Sequence, residues 1–178
     1  MDKRQLRKNI ISLRNELDTS EIKKASDEIC RQLLSLPDFL SHDSYMVYKS
    51  FKGEVDTTKL IRSLSDCEKT VLYPVTDGDN MQAVKPTSDQ FVNGDFGVEI
   101  PRFYQVWDKP DVVITPLVAC DLSKNRIGFG KGFYDRYFYN HDCLKIGICY
   151  DFQVCDLLPT DDWDVPLDVI VTEKRILT

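Results

Sequence analysis

The residues best suited to chemistry lie in one short stretch, Arg126–Arg136, which reads Arg-Ile-Gly-Phe-Gly-Lys-Gly-Phe-Tyr-Asp-Arg. Its three alternating glycines allow positive φ and a close approach of the backbone to a ligand. Such a loop can direct several N–H groups at one anion. No helix breaker follows, so we expect a helix to begin near Gly132 with its positive end facing that anion. The stretch therefore predicts a phosphate site, with a glycine-rich surface turn as the alternative.

Two common phosphate-binding motifs do not fit this stretch. In a Walker loop the lysine precedes Ser or Thr, whereas Lys131 precedes Gly132. The dinucleotide-binding fingerprint has a different glycine spacing. The carboxylate of Asp135, in the first turn of the expected helix, could ligate a hard metal ion carried by phosphates. The chemistry indicated is therefore phosphate binding by another type of loop, with a possible divalent cation.

The segment Arg126–Asp135 resembles the signature loop of the 5-formyltetrahydrofolate cyclo-ligases, or 5,10-methenyltetrahydrofolate synthetases, usually Arg-Leu-Gly-x-Gly-x-Gly-Tyr-Tyr-Asp. Phe133 replaces the first tyrosine of that pattern, and Phe129 stands where some relatives carry a basic residue. The resemblance implies ATP- and magnesium-dependent cyclisation of 5-formyltetrahydrofolate to 5,10-methenyltetrahydrofolate, with phosphorylation of the formyl oxygen and release of ADP and phosphate. The alternatives are a non-catalytic nucleotide- or folate-binding module of the same fold and a sugar-phosphate isomerase-like enzyme.

Similar blocks occur from residue 3 to residue 172. Lys3 and Arg7 are four residues apart and share one face of a predicted helix, which by pattern alone is a solvated basic face. The resemblance implies that they contact ATP phosphates. Glu54 follows a predicted strand, where open α/β sheets bind ligands, although a plain loop acid has the same pattern. The resemblance implies that Glu54 binds the pterin end of the folate, with a weaker contact from Lys49.

The resemblance also implies residues for catalysis and for the metal. The implied catalytic residues are Arg126, Lys131 and Tyr134. The implied ATP-binding residues are Lys3, Arg7, Arg126, Gly128, Gly130, Lys131, Gly132 and Tyr134. Asp135 and Asp168 would share one magnesium ion; Asp168 is the one charged residue of an apolar strand, and burying a carboxylate unpaired is costly. Alternatively, Asp135 caps its helix and Asp168 pairs with a nearby cation.

Composition narrows the class of protein. The chain has 178 residues, enough for a single domain covering residues 1–178, and a formal net charge of −6, which argues against a nucleic-acid-binding or membrane-binding surface. No signal peptide or apolar run long enough to span a membrane is present, which predicts a cytoplasmic location. The six scattered cysteines indicate reduced thiols, and neither histidine stands beside a nucleophile motif. We expect a monomer whose partners are small molecules, a reduced folate and ATP.

Periodicity predicts the elements that position these residues. Helices are expected from Asp2, from Ser20, after Asp56 or Thr57, and near Gly132. In the first helix, the apolar stripe of Leu6, Ile10, Leu13 and Leu17 is expected to face the core, with Arg14 among the basic residues outside it. Strands are expected at residues 45–48, 70–75, 81–84, 111–116, 144–150 and 167–171. Residues 86–110 read as a long irregular connection. Alternating helices and strands predict a three-layer, Rossmann-like α/β domain with a mostly parallel sheet and helices on both faces.

Overall fold

The computed structural model describes residues 2–178, which form four α-helices and thirteen strands. The helices are α1 (Lys3–Asn15), α2 (Thr19–Ser35), α3 (Thr58–Asp66) and α4 (Phe133–Asn140). The strands are β1 (Ser44–Val47), β2 (Thr70–Asp77), β3 (Asn80–Pro86), β4 (Phe91–Asn93), β5 (Glu99–Pro101), β6 (Tyr104–Trp107), β7 (Val112–Pro116), β8 (Ala119–Asp121), β9 (Arg126–Ile127), β10 (Leu144–Ile148), β11 (Val154–Cys155), β12 (Val169–Val171) and β13 (Ile176–Leu177). Among these residues, no helix has both the length and the apolar character needed to cross a membrane.

Eight strands form the main sheet in the order β13-β12-β10-β7-β1-β2-β3-β6. The five strands from β12 to β2 pair in parallel, and β13, β3 and β6 join antiparallel. Two smaller sheets hold β11-β8-β9 and β4-β5. The prediction of an α/β fold with a large, mostly parallel sheet is therefore confirmed.

Alternate residues of the central strands pack in different core clusters. Tyr45 and Val47 of β1 share a cluster with Leu33 of α2 and Leu60 of α3. Met46, between them, belongs to a second cluster that contains Tyr137 and Phe138 of α4. Because successive side chains of a strand point to opposite faces, α2 and α3 cover one face of the sheet and α4 covers the other.

Side chains at the helix ends explain where the helices begin. Asp2 caps α1 as expected, accepting a hydrogen bond from the Gln5 amide at 2.7 Å. The second helix starts one residue before the predicted Ser20, because Asp18 caps it and forms a reciprocal capping box with Glu21. The fourth helix begins directly after Gly132, as predicted.

The first helix differs from its predicted orientation. Ile10 is buried as expected, but Leu13 is 48% exposed, whereas Arg14 is 2% exposed. Residues four apart share a helical face, so the face that buries Ile10 also buries Arg14. The prediction that Arg14 lies among solvated basic residues is therefore wrong.

Residues 86–110 contain more regular structure than predicted. The short strands β4 and β5 pair with each other, and β6 extends the main sheet beside β3. Between β4 and β5 the chain turns through Phe96 and Gly97, which have φ of +60° and +79°. The sequence does not predict these strands, because each is only three or four residues long and the segment contains several prolines and glycines. Strand periodicity cannot be recognised over so few residues.

Candidate active site

A cavity of about 880 Å³ opens at the carboxyl ends of the parallel strands. Its walls include Tyr48 just after β1, Thr76 near the end of β2 and Pro116 at the end of β7. The same cavity is lined by α1, by the stretch after β9 and by the turn between β4 and β5. Ligands of open α/β sheets bind at this edge, and every sequence-based site residue except Asp168 lines the cavity.

The glycine stretch forms a loop on one side of the cavity. Gly130 and Gly132 have φ of +93° and +68°, values that other residues rarely adopt. A side chain at Gly132 would also lie 2.8 Å from a nitrogen of Arg136, and one at Gly130 would lie 3.4 Å from the guanidinium carbon of Arg7. Nothing lies within 4 Å of the corresponding point at Gly128. The loop thus places backbone N–H groups against the cavity without side chains in the way.

Basic side chains from two distant segments meet at this loop. The guanidinium of Arg7 donates from Nε to the carbonyl oxygen of Gly128 at 2.7 Å. The ammonium of Lys3 lies 2.6 Å from carboxylates of both Asp161 and Asp164. Burial lowers the Lys3 pKa, but the hydrogen bonds to the two aspartates prevail, and the pKa is raised. Lys131 is exposed on the loop itself.

Arg126 is held in place by α4 and by the segment before β12. It is 8% exposed and lies 2.8 Å from Oδ1 of Asp135. It also donates to the carbonyl oxygen of Val165, whose own amide donates to the same Asp135 oxygen at 3.1 Å. Burial lowers the Arg126 pKa, and the Asp135 charge opposes that shift. The pair fixes the start of α4 relative to the glycine loop.

The segment after β1 also lines the cavity and carries Glu54 between aromatic and basic residues. Its carboxylate accepts a hydrogen bond from the Phe51 amide at 3.0 Å. Burial raises the Glu54 pKa to about 7, while that hydrogen bond and the charge of Arg14 lower it. Lys49 lies 2.8 Å from a carboxylate oxygen of Glu99 at the rim. Removal from water raises the Tyr134 pKa well above its ordinary value, and the Glu54 charge adds to that.

Asp168 lies elsewhere. It immediately precedes β12, and its carboxylate accepts from the Lys145 amide at 2.7 Å and pairs with the Lys145 ammonium at 3.0 Å. Asp168 does not line the cavity, whereas Asp135 does. Within residues 2–178, no three or more His, Cys, Asp or Glu side chains form a group that could hold a metal ion. The structure thus gives each aspartate its own cationic partner, and their sharing of one ion stays a prediction.

Two cavity residues and one buried arginine escaped the sequence analysis. Trp163 lines the cavity near Lys3 and is 71% exposed, which is unusual for so large an aromatic side chain. Phe96, at the turn between β4 and β5, lies 6.2 Å from the Phe133 ring and 5.5 Å from the Lys131 ammonium. Arg14 lies buried near Glu54. The segment from Phe96 to Pro101 resembles a block of the cyclo-ligase pattern, although that resemblance assigned no role to Phe96, and no local pattern marks Trp163 or Arg14.

The glycine-rich loop and several basic side chains line a cavity at the carboxyl ends of parallel strands, an arrangement typical of α/β enzymes that bind small molecules. The model of the 5-formyltetrahydrofolate cyclo-ligase family matches residues 1–173. The chain belongs to this family of ligases.

Relatives and solved structures support the assignment over nearly the whole chain. The chain is 30% identical to the 5-formyltetrahydrofolate cyclo-ligase of Escherichia coli, covering 92% of this chain and 96% of the relative. It is 32% identical to that of Haemophilus influenzae, with 95% and 97% covered. The solved structure of Aquifex aeolicus 5,10-methenyltetrahydrofolate synthetase is 36% identical, with a TM-score of 0.88 and coverage of 99% and 92%. That of Mycoplasma pneumoniae is 29% identical, with a TM-score of 0.82 and coverage of 97% and 99%.

Proposed function

We propose that this protein converts 5-formyltetrahydrofolate and ATP to 5,10-methenyltetrahydrofolate, ADP and phosphate. The observation that carries the proposal is the single cavity that joins the basic glycine loop to the half-apolar wall around Glu54. A phosphate-binding side and a heterocycle-binding side in one cavity allow both substrates to bind in contact. Catalysis of phosphoryl transfer is mostly positioning and charge neutralisation, and this arrangement is suited to both.

At the basic side, the loop N–H groups of Gly128–Gly132 would hold ATP phosphates together with Lys3, Arg7, Arg126 and Lys131. Phosphate would compete with Asp161 and Asp164 for Lys3, so nucleotide binding would release those carboxylates. Their neighbour Trp163 presents an exposed ring on the same wall, and aromatic rings stack well on nucleobases. We infer that the adenine lies against Trp163.

A magnesium ion fits Asp135 better than Asp168. Asp135 lines the cavity, and among the described residues both hydrogen bonds to its carboxylate reach Oδ1, which leaves Oδ2 without a protein donor. Magnesium commonly takes one or two carboxylates and completes its shell with water and substrate phosphates. When bound, the ion would neutralise charge on the transferring phosphate. The proposed ligand is therefore Asp135, and the part assigned to Asp168 stays a prediction that its pairing with Lys145 does not favour.

At the apolar side, the pterin would present two N–H donors to the Glu54 carboxylate, with Lys49 at the rim. The formyl oxygen must leave during cyclisation and is a very poor leaving group. In the proposed sequence, that oxygen attacks the γ-phosphorus and ADP departs, giving an iminium phosphate. The neighbouring amine (N10) then attacks the iminium carbon and loses its proton. Phosphate departs with the electrons of the carbon–oxygen bond, and the positively charged methenyl bridge results.

We also infer that the chain forms one three-layer, Rossmann-like domain that acts as a monomer. The continuous main sheet, with helices on both faces, supports the single domain, and a cavity built from segments of one chain supports the monomer. All six cysteines are free thiols. Reduced thiols, together with ATP as co-substrate, support a cytoplasmic location.

The test is to mix the protein with ATP, magnesium and 5-formyltetrahydrofolate and to follow methenyl absorbance and ADP together. We expect both products in a one-to-one ratio, each dependent on the other substrate. ADP release without the folate would indicate an uncoupled ATPase. Binding of both ligands without turnover would instead support a non-catalytic module and refute the proposal.

A further inference from the structure

The first helix buries a cation that none of the proposed phosphate contacts uses. Arg14 is 2% exposed, although a guanidinium is normally found in water or in an ion pair. Its Nε has no hydrogen-bond partner within residues 2–178. A buried cation with incomplete hydrogen bonding is costly, so its position needs a compensating interaction.

Arg14 lies between the glycine loop and the turn that carries Glu54. A side chain at Gly53 would lie 3.4 Å from the carbonyl oxygen of Arg14 and 3.6 Å from its Cγ, so the arginine packs directly against this turn. On the other side, the guanidinium carbon lies 5.4 Å from the ring centroid of Phe129 in the glycine loop. The cation is thus sealed from water between the two halves of the cavity.

Two tyrosines fix the backbone on either side of Glu54. The hydroxyl of Tyr150 donates to the carbonyl oxygen of Gly53 at 3.1 Å. The hydroxyl of Tyr48 donates to the carbonyl oxygen of Val55 at 3.1 Å. Glu54 is therefore held in one place relative to Arg14 even without a direct ion pair.

The charged and titratable groups around Glu54 come from four elements. Tyr48, Tyr134 and Tyr150 lie close enough for the Glu54 charge to raise the pKa of each. All three keep their protons at neutral pH, since burial, the larger cause, raises each pKa further, that of Tyr150 to about 12. Of the groups in the described chain, Arg14 is the cation that favours the charged form of Glu54.

We propose that Arg14 is a positioning residue that keeps Glu54 ionised so that it can accept both pterin N–H donors. This inference rests on the proposed folate-binding role of Glu54. Burial opposes ionisation of the carboxylate, and a protonated carboxyl cannot accept at both oxygens. A fixed positive charge near the carboxylate offsets that effect, and no hydrogen bond or ion pair from Arg14 occupies the carboxylate oxygens among the described residues.

The experiment measures the dissociation constant of 5-formyltetrahydrofolate from pH 5.5 to 9 without ATP. In the wild-type protein, folate affinity should decrease as the pH is lowered through a midpoint near the Glu54 pKa of about 7. Arg14→Met and Arg14→Gln remove the charge and should move the midpoint upward by about one pH unit, since a nearby opposite charge shifts a carboxyl by that order. Affinity should then be about fivefold weaker at pH 7 and about tenfold weaker at pH 6, and it should converge with wild type at pH 9. Arg14→Lys keeps the charge and should restore the wild-type midpoint.

Equal weakening at every pH in the neutral variants would overturn the proposal, because it would indicate a packing defect alone. Circular dichroism identifies variants that fail to fold. If neither neutral variant folds, Arg14→Lys decides: an unchanged midpoint is expected because the charge is kept, and a midpoint that moves upward by about one pH unit would refute the idea. Loss of the midpoint in Glu54→Gln checks that Glu54 is the titrating group. The proposed function is judged separately. If the wild-type protein forms the methenyl product but the pH midpoint of folate affinity is the same in the neutral Arg14 variants, only this inference is refuted.

Discussion

Replacing Glu54 with glutamine should stabilise the unliganded protein at alkaline pH. Burial raises the Glu54 pKa to about 7, against an ordinary value of 4.5. An acid with a raised pKa in the folded state contributes stability below its unfolded pKa and loses that contribution as pH rises through the folded pKa. Glutamine stays neutral and lacks this dependence. The site therefore keeps a carboxylate that weakens the fold at the pH where it would bind substrate.

The expected size follows from the two pKa values. At about 1.4 kcal/mol per pKa unit the full difference is about 3.5 kcal/mol, and about three quarters of it, or about 2.5 kcal/mol, is lost between pH 5 and pH 8. The free energy of unfolding of Glu54→Gln minus that of wild type should therefore become more positive by this amount over the same range. Other ionisable groups titrate alike in both proteins, so they cancel in the comparison.

Urea unfolding at pH 5 and pH 8 measures this difference, and Glu16→Gln at an exposed position is the matched control for losing one negative charge. Folate affinity of Glu54→Gln should fall about tenfold or more at pH 8, because an amide offers one acceptor where the carboxylate offers two. A stability difference that is the same at both pH values would refute the reasoning, as would Glu54→Gln being less stable than wild type at pH 8.

Three further predictions concern the phosphate side. Lys131→Ala should raise the KM for ATP more than tenfold and that for the folate less than about twofold, measured by initial rates; equal effects would remove Lys131 from the nucleotide site. In Trp107→Phe, the fluorescence of the remaining Trp163 should fall when ATP binds, and Trp163→Ala should weaken ATP binding about tenfold while leaving tripolyphosphate binding unchanged. No quenching, or equal loss for both ligands, would argue against base stacking. Asp135→Asn should raise the magnesium concentration for half-maximal activity about tenfold, and the same substitution at Asp168 tests the two-aspartate prediction, which an unaltered magnesium dependence would contradict.

The sequence by itself determined the family, the α/β class and the location of the glycine loop that lines the cavity. Each of these features follows from a pattern of residues close together in the sequence. Alternating glycines with basic neighbours make a loop whatever surrounds them, and apolar residues at helical or strand spacing fix the type of an element. Asp2 marks the start of α1 because a cap is a contact between residues three apart.

Only the tertiary structure decided which charges are paired and which are buried. In the sequence, Asp168 is the one charged residue of an apolar strand and has no evident partner. In the structure, the neighbouring strand supplies Lys145 as its partner. Leu13 and Arg14 adjoin each other in the first helix, and the helical pattern favoured burying Leu13, yet the packing of α1 buries Arg14. The energy of a charge depends on water, dipoles and partners brought by distant segments, so no local pattern reports it. The surroundings of Glu54, which come from four separate elements, exist only once the chain has folded.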